Sequence, residues 1–311
     1  MKPIQISKDT SNIIKGLACL LIVAHHFCSR LMGKGSTDMI VNFIGLRGGV
    51  IGVTIFFFLS AWGLSESQNK NRYSFWMFVK RRLSKVYVPL VITNILYYLF
   101  LLFYQQQVFR IPDFLLKTFN LRFVDGVLWF CNTILIFYVI FYVSFLPKTR
   151  WGKVITCIVS TLLYSVAATW IFPDAPFYVY SIIGFPIGMI CSLYKAEFSK
   201  LSYWSITSII AMFLLAAGVF VFPAYKNLFM MNLLSLILLI VIVLSIQKIK
   251  MPKSMVILPF IGTYSYEIYL LHNKVLSPLG NAGHTMWFPI AFLLIVIPLA
   301  IVLNKLIAKI Y

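Results

Sequence analysis

Residues 13–30 read IIKGLACLLIVAHHFCSR: an apolar run with one lysine near its start and two adjacent histidines near its end. As a helix it rises about 1.5 Å per residue, enough to cross most of a hydrocarbon layer about 30 Å thick. At 100° per residue, Lys15 and His26 fall within about 20° of each other, and Asn12 and Cys19 share their stripe. His25 lies about 80° off it. The remaining faces are almost pure hydrocarbon. A polar stripe on a membrane helix is costly, so it is expected to face protein or a watered cavity. The competing reading gives Lys15 and His26 a packing role only.

The rest of the chain repeats this character. It has 311 residues, 61% of them hydrophobic, with a mean hydropathy of +0.91, far beyond a soluble domain. Its 28 Phe, 17 Tyr and 7 Trp suit a lipid-embedded bundle with aromatic belts. The net charge of +19 would suggest nucleic acid in a soluble protein. Here the basic residues punctuate apolar runs, so membrane topology accounts for them and no nucleic-acid partner is expected. No cleavable signal is read, because the first apolar segment is full length and leads directly to further spans. Cys19, Cys28, Cys131, Cys157 and Cys191 form no C-x-x-C pair and read as small buried apolar residues.

After a polar connection, a second span at about 44–64 opens with Gly45, Gly48, Gly49 and Gly52 and ends FFFLSAWGL. Those glycines indicate either close helix–helix contact or a broken helix beside a cavity. Residues 65–85 carry Lys70, Arg72, Lys80, Arg81, Arg82 and Lys85 against the single acid Glu66. Further spans are expected at about 86–104, 126–146, 153–171, 177–194, 203–222, 228–246, 257–276 and 286–307. The expected fold is therefore all-α: a polytopic membrane protein of about ten transmembrane helices enclosing a polar cavity. With the N-terminus inside, alternate loops hold 19 basic residues on the cytoplasmic side against 8 on the other. That bias places both termini in the cytoplasm.

The same topology puts His26 toward the outer end of its span, about 16 Å along the helix from Lys15. A neutral imidazole can take a proton from a hydroxyl and return it near neutral pH. His25, on another face, suits a lipid-side, packing or supporting position. In KRRLSKVYVP, residues 80–89, Arg82 and Lys85 lie one turn apart with Arg81 beside them, and Pro89 disturbs the ladder that follows. These cations suit phosphate recognition; they equally suit a cytoplasmic anchor on lipid headgroups. Asp125 and Trp129 are four apart at the start of the fourth span, where interfacial roles are also open. In GTYSYEIYLLH, Tyr266, Glu267, Tyr269 and His272 interrupt an apolar run, and with Ser60 they are candidates to line a polar cavity. A lipid-buried Glu267 would need a cation or a proton. His284, in the polar NAGHT connection, reads as a surface residue. His25, His26, His272 and His284 lack paired ligand spacing, so no metal site is expected.

At these residues the chain resembles the membrane-bound acyltransferase-3 family over nearly its whole length. NIIKGLACLLIVAHH is similar to the family's opening signature, with Asn12 in the acidic place, Lys15 in the arginine place and His26 in the histidine place. FFFLSAWGL resembles the second signature, with Ala61 where glycine is usual. FVKRRLSKVYVPL resembles the basic cytoplasmic segment and carries Arg82 and Lys85 onto its paired positions. DGVLWFCNTILIFY and IGTYSYEIYLLH resemble the fourth-span tryptophan block and the late tyrosine–histidine block.

The resemblance implies one integral-membrane acyltransferase domain over residues 1–311. It implies acetyl-CoA as donor, its phosphates on Arg82, Lys85 and Arg81, and transfer to a hydroxyl of an envelope or secreted carbohydrate or lipid-linked sugar. His26, with Lys15, would carry the chemistry as general base or relay. Asn12, Ser60, Asp125, Trp129, Tyr266, Glu267, Tyr269 and His272 would line the cavity. The implied location is the bacterial cytoplasmic membrane, with membrane lipid as partner. The departures at Asn12 and Lys15 cost a charge and a bidentate fork, which points to an altered donor pocket or to helix scaffolding. A multispan transporter of a small polar or lipid-linked substrate is the alternative; the two halves lack its matching broken helices. An apolar surface that lipid can cover carries no signal for oligomerisation.

Overall fold

The computed structural model describes residues 5–33, 35–106, 110–201, 256–279 and 288–310, with 231–233, 235, 237 and 239. Among the described residues the structure is helical and has no strand. Five helices are long and apolar enough to cross a membrane: Lys8–Gly33, Met39–Lys70, Phe75–Tyr104, Gly126–Ser144 and Arg150–Ile171. The expected spans at 203–222 and 228–246 lie outside the described residues, apart from the positions between 231 and 239 named above. The chain divides into two compact units.

The first unit comprises Met1–Tyr73 and Val139–Gly262. Its α1, Lys8–Gly33, packs along α2, Met39–Lys70. Gly45, Gly48, Gly49 and Gly52 of α2 recur at i, i+3, i+4 and i+7, so they form one face. A Cβ on Gly45 would meet Cys28, Ser29 and Met32; on Gly48, Leu21 and His25; on Gly52, Ala18 and Ile22. The glycines are thus a helix–helix seam within an unbroken helix. In lipid, apolar side chains gain little from leaving hydrocarbon for protein, so close backbone approach supplies the packing attraction instead. Ser29 Oγ adds a hydrogen bond to the Gly45 carbonyl at 2.9 Å.

The opposite flank of α2 receives α7, Gly184–Leu193, by the same device. Gly184 lies against the Thr54 carbonyl and Gly188 against that of Phe58. Ile14, Ala18, Ile55, Phe58, Leu59, Trp62 and Cys191 form the core around these seams. At one end Glu66 accepts hydrogen bonds from Ser192 Oγ at 2.8 Å and Lys195 Nζ at 2.8 and 3.0 Å. Arg150, at the start of α6 (Arg150–Ile171), pairs with Glu197 at 3.5 Å. Three loops that the charge pattern assigns to one side therefore meet at one end of this unit.

The expected span 177–194 is not one helix. A 3-10 turn at Pro176–Tyr178 and a turn over Ser181 precede α7, whose ten residues rise only about 15 Å. Ser181 Oγ donates to the Val50 carbonyl of α2 at 3.1 Å, a long-range bond that ties the backbone down ahead of the helix.

The second unit comprises Ser74–Tyr138 and Thr263–Tyr311. It holds α3, Phe75–Tyr104; α4, Ile111–Thr118; the first part of α5, Gly126–Ser144; α10, Ser265–Leu279; and α11, Phe288–Ala308. The first unit also holds α8, Lys195–Leu201, and α9, Ile257–Thr263, up to Gly262. The expected run 257–276 is divided between α9 and α10 at Tyr264, not at Glu267 or His272. The short α4 is fastened to α3 by Asn94 Nδ2, which donates to the carbonyls of Lys117 at 3.2 Å and Thr118 at 3.3 Å. Asn120 then takes the left-handed conformation, φ 57°, which asparagine tolerates. Its side chain donates to Asn132 Oδ1 at 2.8 Å, while Asn132 Nδ2 returns a bond to the Asn120 carbonyl at 3.0 Å.

Candidate functional site

The histidine pair is set by α1. His25 fits against the α2 seam: a Cβ on Gly49 would meet its ring, and its Nδ1 lies 3.4 Å from the Ile44 carbonyl oxygen. Of the positions open to it, His25 occupies the packing one. On the far side of α1, Asn12 and Gly16 meet α9, where Gly262 sits against the Asn12 carbonyl and Gly16 against that of Leu258. Helical phase places Lys15, Cys19 and His26 in the sector of about 80° between these two packed faces. Lys15 and His26 are half-buried, and Cys19 is buried. His26 meets His25 edge to face, with ring centroids 4.8 Å apart. Ser60 is half-buried on α2.

The basic segment belongs to the second unit. Val79–Leu83 forms a π-helical turn inside α3 and contains Lys80, Arg81 and Arg82; Lys85 follows one turn on. Such turns widen the helix locally and are frequent at functional sites. Ser84 Oγ bonds back to the Lys80 carbonyl within the turn. Pro89 has no N–H to give, so the Lys85 carbonyl lacks its usual partner just beyond. Arg82 is half-buried, while Arg81 and Lys85 are exposed. Phe75, Trp76 and Met77 are exposed immediately before the turn, whereas Phe78 is buried. Cationic heads beside exposed aromatic side chains suit an interface, and the segment from Lys80 to Lys85 itself contains no acid.

Asp125, open to an interfacial role by sequence, is buried in the second unit. Its Oδ1 caps the turn that opens α5 by accepting from Val127 N at 3.2 Å, and also accepts from Asn273 Nδ2 at 2.6 Å. Its Oδ2 faces Lys274 Nζ at 3.6 Å. Tyr269 OH bonds to the Val127 carbonyl, and its ring meets Phe130 edge to face at 5.4 Å. Tyr266 OH donates to the Val86 carbonyl at 2.6 Å and lies 3.8 Å from Cys131 Sγ. Glu267, for which a cation or a proton is expected, is buried and accepts from Asn304 Nδ2 at 2.7 Å. His272 is fully buried, with Nδ1 2.6 Å from the Tyr269 carbonyl oxygen. Trp129, half-buried at the start of α5, packs edge to face on Phe130 at 6.3 Å. His284 lies outside the described residues.

The candidates thus fall into two groups. Asn12, Lys15, His26 and Ser60 belong to the first unit; Arg81, Arg82, Lys85, Asp125, Trp129, Tyr266, Glu267, Tyr269 and His272 belong to the second. Within the second unit the tyrosines hold the backbone of α3 and α5 against α10, a bracing role. Asn273 and Lys274 were missed by sequence reasoning. The signal available was a lysine inside an apolar helix, masked by its tally as a loop charge. No cluster with metal-binding composition occurs among the described residues. A family model described as an acyltransferase domain matches residues 9–308. No curated protein and no solved structure matches the chain.

Proposed function

From the premise that this chain belongs to the acyltransferase-3 family, we propose that it moves an acetyl group from acetyl-CoA to a carbohydrate hydroxyl. The protein is an integral membrane acyltransferase. We further place it in the bacterial cytoplasmic membrane, with about ten spans and both termini cytoplasmic, and assign the acceptor to an envelope, secreted or lipid-linked sugar.

The single observation carrying the reading is His26. The residue in the histidine place of the opening signature is half-buried on a membrane-length helix and lies outside the glycine seam that engages His25. Acetyl-CoA supplies the acyl group as a thioester, whose C–S bond breaks as the new C–O bond forms. His26 takes the acceptor hydroxyl proton as the oxygen attacks, then passes it to the departing sulfur. Lys15, on the same stripe but about 16 Å along the helix from His26, acts on the donor's approach through its charge and not by contact with the reacting carbonyl. Arg82 and Lys85, with Arg81, hold the donor phosphates. The acid-free basic turn fits that task, Arg through its planar fork and Lys as a point charge.

The test is free CoA release by the purified protein in liposomes, with acceptor mass measured in parallel. Wild type is expected to release CoA only with a carbohydrate acceptor and to add one acetyl group to it. His26→Ala should lower the rate about 10²- to 10⁴-fold while the protein stays folded. Normal transfer by His26→Ala would remove the assigned base. Chemically unchanged substrate crossing the vesicle would replace transfer by transport.

A further inference from the structure

Helices α3, α10 and α11 of the second unit border a groove of about 960 Å³. None of the residues singled out from the sequence lines it. One wall is apolar and open: Leu96, Phe100, Leu299, Val302 and Leu306 are between 37% and 54% exposed. On α3, Leu96, Phe100 and Tyr104 follow at four-residue steps, a ridge of about 12 Å along the helix. The polar part of the lining is different in kind. Lys274 and Lys117 contribute amines, Tyr97 and Tyr98 contribute phenols, and no carboxylate is among the lining residues.

Lys274 is the unusual member. Its side chain is only 3% exposed, and its Nζ makes no hydrogen bond among the described residues. Asp125 Oδ2 stands 3.6 Å away and the Tyr97 ring centroid 5.6 Å away. Asp125 supports the charge from behind, because its Oδ1 is already committed to Val127 and Asn273. An ammonium carries three donors, and a buried one left without acceptors is costly. Lys274 therefore offers unused donors beside an exposed apolar trough.

We propose that this groove binds a bilayer amphiphile consisting of a hydrocarbon chain with a phosphate head, the chain along the α3 ridge and the phosphate on Lys274. The apolar wall selects the chain. Lys117 is already committed to Asp113 at 2.9 Å, whereas Lys274 has a carboxylate on one side only, Asp125 Oδ2 at 3.6 Å, and its remaining donors favour an anion over a neutral head. The volume suits one such molecule. This assignment stands on the geometry of the second unit and is independent of the transfer reaction.

The probe is dodecyl phosphate carrying a diazirine in its chain, applied to the full-length protein in dodecyl maltoside micelles. The detergent thus supplies the same chain with a neutral head in excess. Wild type is expected to be labelled saturably within residues 93–104 and 295–306, with competition by unlabelled dodecyl phosphate and none by inorganic phosphate. Lys274→Met should reduce labelling about tenfold. Because that change leaves Asp125 without its cation, the Asp125→Asn, Lys274→Met double variant is compared as well. Leu299→Trp, on the exposed wall away from the ion pair, should block labelling by filling the trough. Equal labelling of the folded double variant, undiminished labelling of Leu299→Trp, labelling confined to other helices, no saturable labelling, or competition by inorganic phosphate would each overturn the assignment.

Discussion

Lys274 Nζ faces Asp125 Oδ2 at 3.6 Å with the two side chains 3% and 4% exposed. The pair joins α10 to the turn that opens α5, across a long stretch of sequence. Removing one partner of a buried pair leaves the other uncompensated, which costs about 3–5 kcal/mol, whereas replacing both is often close to neutral. Lys274→Met alone should therefore lower thermal stability in detergent sharply. Adding Asp125→Asn, which keeps the Oδ1 acceptor for Val127 and Asn273, should restore most of it. A double-mutant cycle measures the coupling; additive losses would mean that the two charges do not sense each other.

The histidines of α1 give a second prediction. A Cβ on Gly49 would fall 2.6 Å from His25 Cδ2 and 2.9 Å from Nε2. Gly49→Ala must therefore turn the imidazole away from the Ile44 carbonyl and against His26, whose ring lies 4.8 Å off. Overpacking of this kind costs about 1–3 kcal/mol. Thermal stability and CoA release should fall together although neither His26 nor Lys15 has changed. Gly63 on the same helix has nothing within 4 Å of its added Cβ, so Gly63→Ala should leave both measurements intact.

How much of this was legible in the sequence differs by feature. Helical phase separated His25 from His26 because α1 is one unbroken helix, so 100° per residue holds along it. The glycines of α2 stayed ambiguous, since a seam and a break use the same residue; only the neighbouring backbones at Leu21, Ala18 and Cys28 distinguish them. Hydropathy overstated 177–194 because apolar content does not register the turn at Pro176–Tyr178 or the Ser181 bond to Val50. The pairing of Asp125 with Lys274 escaped notice because no periodicity links residues 149 positions apart. Long-range pairs between single charges are set by the packing of helices, which local pattern does not encode.

The basic turn supplies a prediction that separates binding from chemistry. Arg82 is half-buried at the π-helical turn and Lys85 is exposed. Arg82→Gln should raise the KM for acetyl-CoA about tenfold with little change in kcat. Lys85→Gln should have a smaller effect, because water and salt screen an exposed charge. His26→Ala should show the opposite split, with kcat lost and KM nearly kept. A fall in kcat at unchanged KM in Arg82→Gln would move that residue from holding the donor to the reacting centre.

The last prediction concerns pH and the short helix α4. Asp113 accepts from Lys117 Nζ at 2.9 Å and from Arg122 at 3.0 Å. The hydrogen bond from Lys117, supported by Arg122, holds the Asp113 carboxyl below its ordinary range. The same bond to Asp113 holds the Lys117 amine above its own. A depressed carboxyl binds fewer protons in the folded state, so its contribution is present above the ordinary carboxylate value of about 4 and is lost as pH falls through the lower folded value. A raised amine contributes below its ordinary value of about 10.4 and loses that contribution as pH rises through the folded one. Amide exchange across Ile111–Thr118, corrected for its intrinsic pH dependence, should show flat protection between these limits and declining protection in acid. Asp113→Asn should remove the acid-side decline and lower the plateau modestly, because surface pairs of this kind are weak. A decline in acid that persists unchanged in Asp113→Asn would assign the dependence to a different group.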